Sequence, residues 1–137
     1  MELVRAADRL TNIFGHWPTF HDAEVVRVVL DRRGPGGPTL EAEIHVFEMT
    51  SEVDPAGYYV LKNHTLVTLR FRGVELRALS SFNHQNVLYE LSLTPIDPAQ
   101  HAGRSVAVEL VSSFGMEASF ECGDCEVVSV QPWEASS

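Results

Sequence analysis

From Ala23 onward the apolar residues of this chain recur at every second position, in run after run closed by short turn clusters. That period belongs to strands with one face buried. Thr39 to Glu48 is the clearest run: Leu40, Ala42, Ile44 and Val46 face one way, and Glu41, Glu43, His45 and Phe47 the other. Ser105 to Val111 repeats it with Val106, Val108 and Leu110, and Met116 to Cys122 with Met116, Ala118, Phe120 and Cys122. Ala23 to Asp31 carries apolar residues on both faces, Val25 and Val29 against Val26, Val28 and Leu30. That predicts a strand covered on both sides, in part by a helix. Tyr58 to Phe71, Val74 to Leu79 and Glu126 to Val130 complete the set. Val87 to Leu93 suits strand or two helical turns; its run into Pro95 favours strand.

The connections are rich in turn residues. Arg32 to Pro38 is a hairpin loop, Arg72-Gly73 a tight turn with Val74 to Leu79 returning from it, and Gly123-Asp124 another turn. Thr50 to Gly57, Ser80 to Asn86 and Thr94 to Arg104 read as loops. Before Ala23 the period differs. Leu3, Ala6, Ala7, Leu10, Ile13 and Phe14 are spaced for one helix face over Glu2 to Phe14, with Gly15 as the stop. Gly15 to Asp22 is an ordered loop anchored by Trp17 and Phe20. The pattern predicts a mainly β (α+β) fold: an antiparallel β-sandwich or partly open barrel of about eight strands with one N-terminal helix. Its 137 residues suit a single domain over 1–137, with 132–137 a flexible tail.

Charge narrows the function. Nineteen acidic residues stand against ten basic ones, a net charge of −9. This opposes nucleic-acid binding, which needs Lys and Arg on phosphates, and suits either simple solubility or a basic protein partner. No stretch approaches a membrane span, and Met1 to Leu10 lacks the apolar core of a secretory signal. With only two cysteines, the expected compartment is a reducing cytoplasm.

The densest polar group is His16, His21, Asp22 and Glu24, side-chain types that bind zinc or move protons. In extended chain, however, His21 and Asp22 point apart, and no second His cluster stands at ligand spacing. Structural hydrogen bonding is the simpler role. Cys122-Gly123-Asp124-Cys125 has the spacing of a disulfide or half a zinc site, but it lies in a turn between strands and reads as two packed thiols. No nucleophile motif or phosphate loop occurs. No cofactor or metal is therefore expected. Asn83 and Asn86, in the polar run Phe82 to Asn86, suit a turn more than recognition. Glu41, Glu43, Glu48, Glu52 and Asp54 crowd one strand and the loop after it. They form a solvated face or a docking surface for a basic protein, and Glu41 and Glu43 repel each other unless a cation intervenes.

Three residue groups together resemble a known family. They are Phe14-Gly15-His16-Trp17-Pro18-Thr19-Phe20-His21-Asp22-Ala23-Glu24, then Leu66-Val67-Thr68-Leu69-Arg70-Phe71, then Phe82-Asn83-His84-Gln85-Asn86-Val87. In this order they look like the immunity protein 50 family of bacterial polymorphic toxin systems, over roughly Ile13 to Val130. The resemblance implies a small cytoplasmic protein that binds and blocks a cognate toxin, with no catalytic residues. A basic toxin would suit the acidic charge. Two rival readings come from the residues: a small metal-dependent or acid–base enzyme using His21, Asp22 and Glu24, and a small-molecule-binding β-barrel, which requires an apolar cavity.

Overall fold

The strand pattern folds into one sheet rather than two. The computed structural model describes residues 2–134. Its elements are β1 (Val4–Arg5), α1 (Asp8–Phe14), β2 (Glu24–Asp31), β3 (Thr39–Val53), β4 (Tyr59–Arg72), β5 (Glu75–Ser80), β6 (Val87–Pro95), β7 (Val106–Phe114), β8 (Glu117–Cys122) and β9 (Asp124–Pro132). The nine strands form a single open sheet in the order β1-β9-β4-β3-β2-β6-β7-β8-β5. Every neighbouring pair is antiparallel except β1 with β9, so the sheet is mixed.

The sheet doubles over on itself. Phe71 of β4 and Phe120 of β8 are far apart in strand order, yet their rings meet edge-on at 4.9 Å. Both are fully buried in one cluster with Phe20, Leu40, Ile44, Leu69, Leu88 and Leu110. Packing is thus that of a sandwich, with each large apolar side chain contributing roughly 1.5–3 kcal/mol on burial. The fold line is the seam between β2 and β6. It has a single register pair, Glu24 with Val87, flanked by bonds from the N–H of Asp22 to the Leu88 carbonyl, of Leu88 to Ala23 and of Val25 to Asn86.

Several expectations shift. The helix is shorter than Glu2–Phe14. Ala6 takes a left-handed conformation (φ 56°) that ends any helix before it, and Val4 and Arg5 pair with Cys125 and Glu126 instead. The end is as expected: Gly15 (φ 79°) donates its N–H to Thr11 in a left-handed cap. Leu10 and Phe14 are buried, and the helix packs mainly on β9 and β4. The outer face of β2 is therefore partly bare, with Val26 and Leu30 exposed; a bulge between Val25 and Arg27 breaks its alternation. β5 does not return along β4. Both edges of β4 are already taken by β3 and β9, so the chain leaves through Val74, whose N–H bonds the Pro38 carbonyl, and β5 joins the edge of β8. The turn at Gly123 likewise makes no hairpin: it carries the chain from β8 in one half to β9 in the other, with the Gly123 N–H held by the Arg72 carbonyl at 2.7 Å.

Two further segments differ. Much of the expected loop Thr50 to Gly57 is strand, because β3 and β4 continue past their neighbours as a hairpin closed at Asp54–Tyr58. Of the expected tail 132–137, Pro132 ends β9 and Trp133 donates its N–H to His64 at 3.0 Å; residues 135–137 lie outside the described residues.

Candidate functional site

The loop before β2 is built on two left-handed residues, Phe20 (φ 61°) and Asp22 (φ 66°). Phe20 turns its ring fully into the core, and Trp17, half-buried, leans on it at 5.6 Å. Because the chain is kinked and not extended here, His21 and Asp22 do not point apart. The His21 Nδ1 lies 3.3 Å from an Asp22 carboxylate oxygen, with the His21 ring edge-on to Tyr89. His21 and Tyr89, together with Trp17 and Pro18, border an open groove, and Asp22 stands outside its lining. A His–Asp pair of this kind can hydrogen-bond a ligand or orient an imidazole. Glu24 does not join it: it sits in β2, in register between His45 and Val87. His16 is exposed beside the loop. Among the described residues, no group of three or more His, Cys, Asp or Glu is placed to hold a metal.

Asn83 and Asn86 shape their own loop. Asn86 is buried, and its Oδ1 accepts the N–H groups of Asn83 (3.0 Å) and Met116 (3.1 Å), while its Nδ2 donates to the Asn83 carbonyl (2.8 Å). Asn83 in turn accepts from the Gln85 N–H and donates to the Ser81 carbonyl. The two side chains tie the loop before β6 to the start of β8.

Cys122 and Cys125 flank the crossing between halves, both free and buried. Burial pushes the Cys122 thiol up to about 12 and raises that of Cys125 further, with the Asp124 carboxylate adding to both.

The acidic strand is more balanced than its sequence. Glu41 accepts a hydrogen bond from Arg70, directly opposite on β4, and Arg27 of β2 reaches Glu43 at 3.1 Å. The same row continues across β9 and β1, where Glu126 meets Arg72 at 2.6 Å and Arg5 at 3.4 Å. The Arg72 hydrogen bond holds the Glu126 carboxyl below its ordinary value. The cations that Glu41 and Glu43 need are therefore supplied from neighbouring strands. Asp54 is also engaged: its carboxylate accepts the N–H groups of Ala56 and Tyr58, both at 2.9 Å, and closes the hairpin. Glu48 accepts from the Asn63 amide at 2.9 Å, and Glu52 is exposed.

Where the β3–β4 hairpin leaves the sheet, the structure assembles a cluster that sequence spacing did not bring together. His45 Nε2 lies 3.0 Å from His64 Nδ1, Trp133 stacks on the His45 ring at 4.1 Å and 6°, and Phe47 stands 5.6 Å from both imidazoles. Burial, and then the nearby His64, push the His45 pKa down. Alternation placed His45 and Phe47 on one face, but only the pairing of β4 and β9 brings in His64 and Trp133.

The family described as Immunity protein 50 matches residues 6–133. No curated protein and no solved structure matches the chain.

Proposed function

Because the chain belongs to the immunity protein 50 family, we propose that it neutralises a cognate bacterial toxin by forming a stoichiometric complex with it, without catalysis. The observation that carries this reading is the reach of the family match, 6–133 out of 137 residues. The net charge of −9 supports a basic toxin as partner and disfavours nucleic acid as a direct ligand. On this reading the protein waits in the bacterial cytoplasm, where an arriving toxin would act, and needs no cofactor or membrane. The His21–Asp22 pair then shapes the loop beside Trp17 and does no chemistry.

The test is to co-express the toxin domain encoded beside this chain's gene in a bacterial host. Growth is expected to recover, and the two proteins should co-purify in fixed ratio. Absence of rescue sinks the immunity reading. Rescue at amounts far below those of the toxin, lost on His21→Ala, would replace binding by turnover at the His21–Asp22 pair.

A further inference from the structure

Past Val46 on β3 and before Thr65 on β4, the two longest strands leave the sheet behind. β2 pairs with β3 only from Thr39 to His45, and β9 with β4 only from Thr65 to Arg72. Among the described residues, the remainder is a two-stranded arm whose outer edges carry no strand. Its register breaks twice, between Val46 and Glu48 and between Met49 and Val53, with left-handed Asn63 (φ 57°) at the first break. Beyond that break the arm has a defined face. Tyr59 and Leu61 project from the same side of β4, and Val53 and Met49 stand directly opposite them on β3. All four are exposed, Val53 at 58% and Tyr59 at 57%, and Tyr58 at the tip is exposed at 72%. A two-stranded ribbon has no second layer to cover such a face. Contiguous apolar surface of this kind marks a site of association. The arm also carries Glu48, Glu52 and Asp54, against the one cation Lys62.

We infer that the arm face made by Met49, Val53, Tyr58, Tyr59 and Leu61 is the surface that docks on the toxin, seated in an apolar depression rimmed by basic residues. This deepens the toxin-binding reading and rests on it. Charge selects the occupant. A second copy would set an acidic arm against an acidic arm and −9 against −9, whereas a basic protein surface is drawn in. The two register breaks also bend the open edges away from the flat geometry that edge-to-edge pairing needs, so the face and not the edge makes contact. Tyrosines suit the role because they bury large area at small entropy cost. The row of Glu41 and Glu43, already paired with Arg70 and Arg27, becomes the scaffold of the arm rather than the contact.

The experiment measures binding of the purified toxin domain encoded by the adjacent gene to the wild-type chain and to three variants. Tyr59→Ser with Leu61→Ser should weaken binding about 100-fold or more. Glu48→Lys with Glu52→Lys should slow association about tenfold at low salt. Glu117→Lys, on the far half of the sheet, should bind as wild type. Hydrogen exchange on the unmutated complex should show amides 47–62 newly protected, which tests the arm even if a variant misfolds. If the wild type binds while folded arm variants bind equally well and 47–62 stays unprotected, the arm is not the interface and toxin binding stands without it. If the wild type does not bind, both readings fall. If the wild type sediments as a dimer that the Tyr59/Leu61 variant dissociates, the face serves self-association and the inference is overturned.

Discussion

Asn86 is exposed at only 3%, and both ends of its carboxamide are used: two backbone N–H groups donate to the oxygen, and the nitrogen donates to a carbonyl. Truncation to Ala would leave the part-buried N–H of Asn83 and the buried N–H of Met116 without their partner. Each such loss costs about 1–3 kcal/mol, so Asn86→Ala should lower unfolding free energy by roughly 2–4 kcal/mol, read from denaturant midpoints. A loss below about 1 kcal/mol would mean that water replaces the amide. Gly115 belongs to the same clamp. Its φ is +80°, and a Cβ there would stand 2.3 Å from the Gln85 carbonyl oxygen, so Gly115→Ala should damage the same loop. At this scale sequence reasoning is weakest. The identity of Asn86 suggests a turn, but its partner Met116 is thirty residues away and is supplied only by the fold. His21 and Asp22 show the same gap: two left-handed residues, neither of them glycine, turn neighbours that should diverge into a pair.

Strands are legible because alternation is local; their neighbours are not. Leu40, Ala42, Ile44 and Val46 are buried as their spacing predicts, and Val106, Val108 and Leu110 likewise. The partner of β5 could not be read, since a turn at Gly73 states that the chain bends and not which strand edge is free. Composition misplaced the β3–β4 hairpin too: Pro55 and the polar residues near it mark a tip, while the strands continue to Val53 and from Tyr59 on pairing alone. Trp133 is a further case. Four residues before the last it reads as tail, yet its ring stacks on His45 of β3 and its backbone N–H bonds the His64 carbonyl of β4. The indole thus pins the end of β9 to the base of the arm. Trp133→Ala should cost about 1–2 kcal/mol of stability and should raise hydrogen exchange at His64 and Thr65 before the rest of β4. Unchanged exchange there would show that the stack does not hold the arm.

The pH range of the whole molecule is set by groups that resist charging and by its ion pairs. His45 is held below its ordinary 6.5 by burial and by His64. The unfolded chain therefore binds more protons below about pH 6.5, and stability falls as the pH drops through that value. Cys122, pushed up to about 12, and Cys125, raised further, stay protonated when the unfolded thiols ionise near 9.0. Stability is thus full below pH 9 and is lost as the pH rises past it. A second acid step comes lower. Arg72 holds Glu126 below 4.5, and at Glu121 burial is outweighed by Arg104, His101 and Arg77, so these ion pairs support the fold above about pH 4.5 and fail beneath it. The expected profile is a plateau between pH 6.5 and 9, falling in two steps on the acid side and one on the alkaline side. General repulsion in a chain of net charge −9 would also give an alkaline decline. Two comparisons separate the causes. Added salt screens surface repulsion and leaves buried thiols unaffected, and the Cys122→Ala/Cys125→Val variant removes the thiols and leaves the surface charge. Denaturant midpoints from about pH 3 to 10.5 should show both acid steps, and should keep their alkaline fall in about 0.5 M salt and lose most of it in the double variant. A fall that vanishes with salt and survives in the variant would assign it to the acidic surface instead.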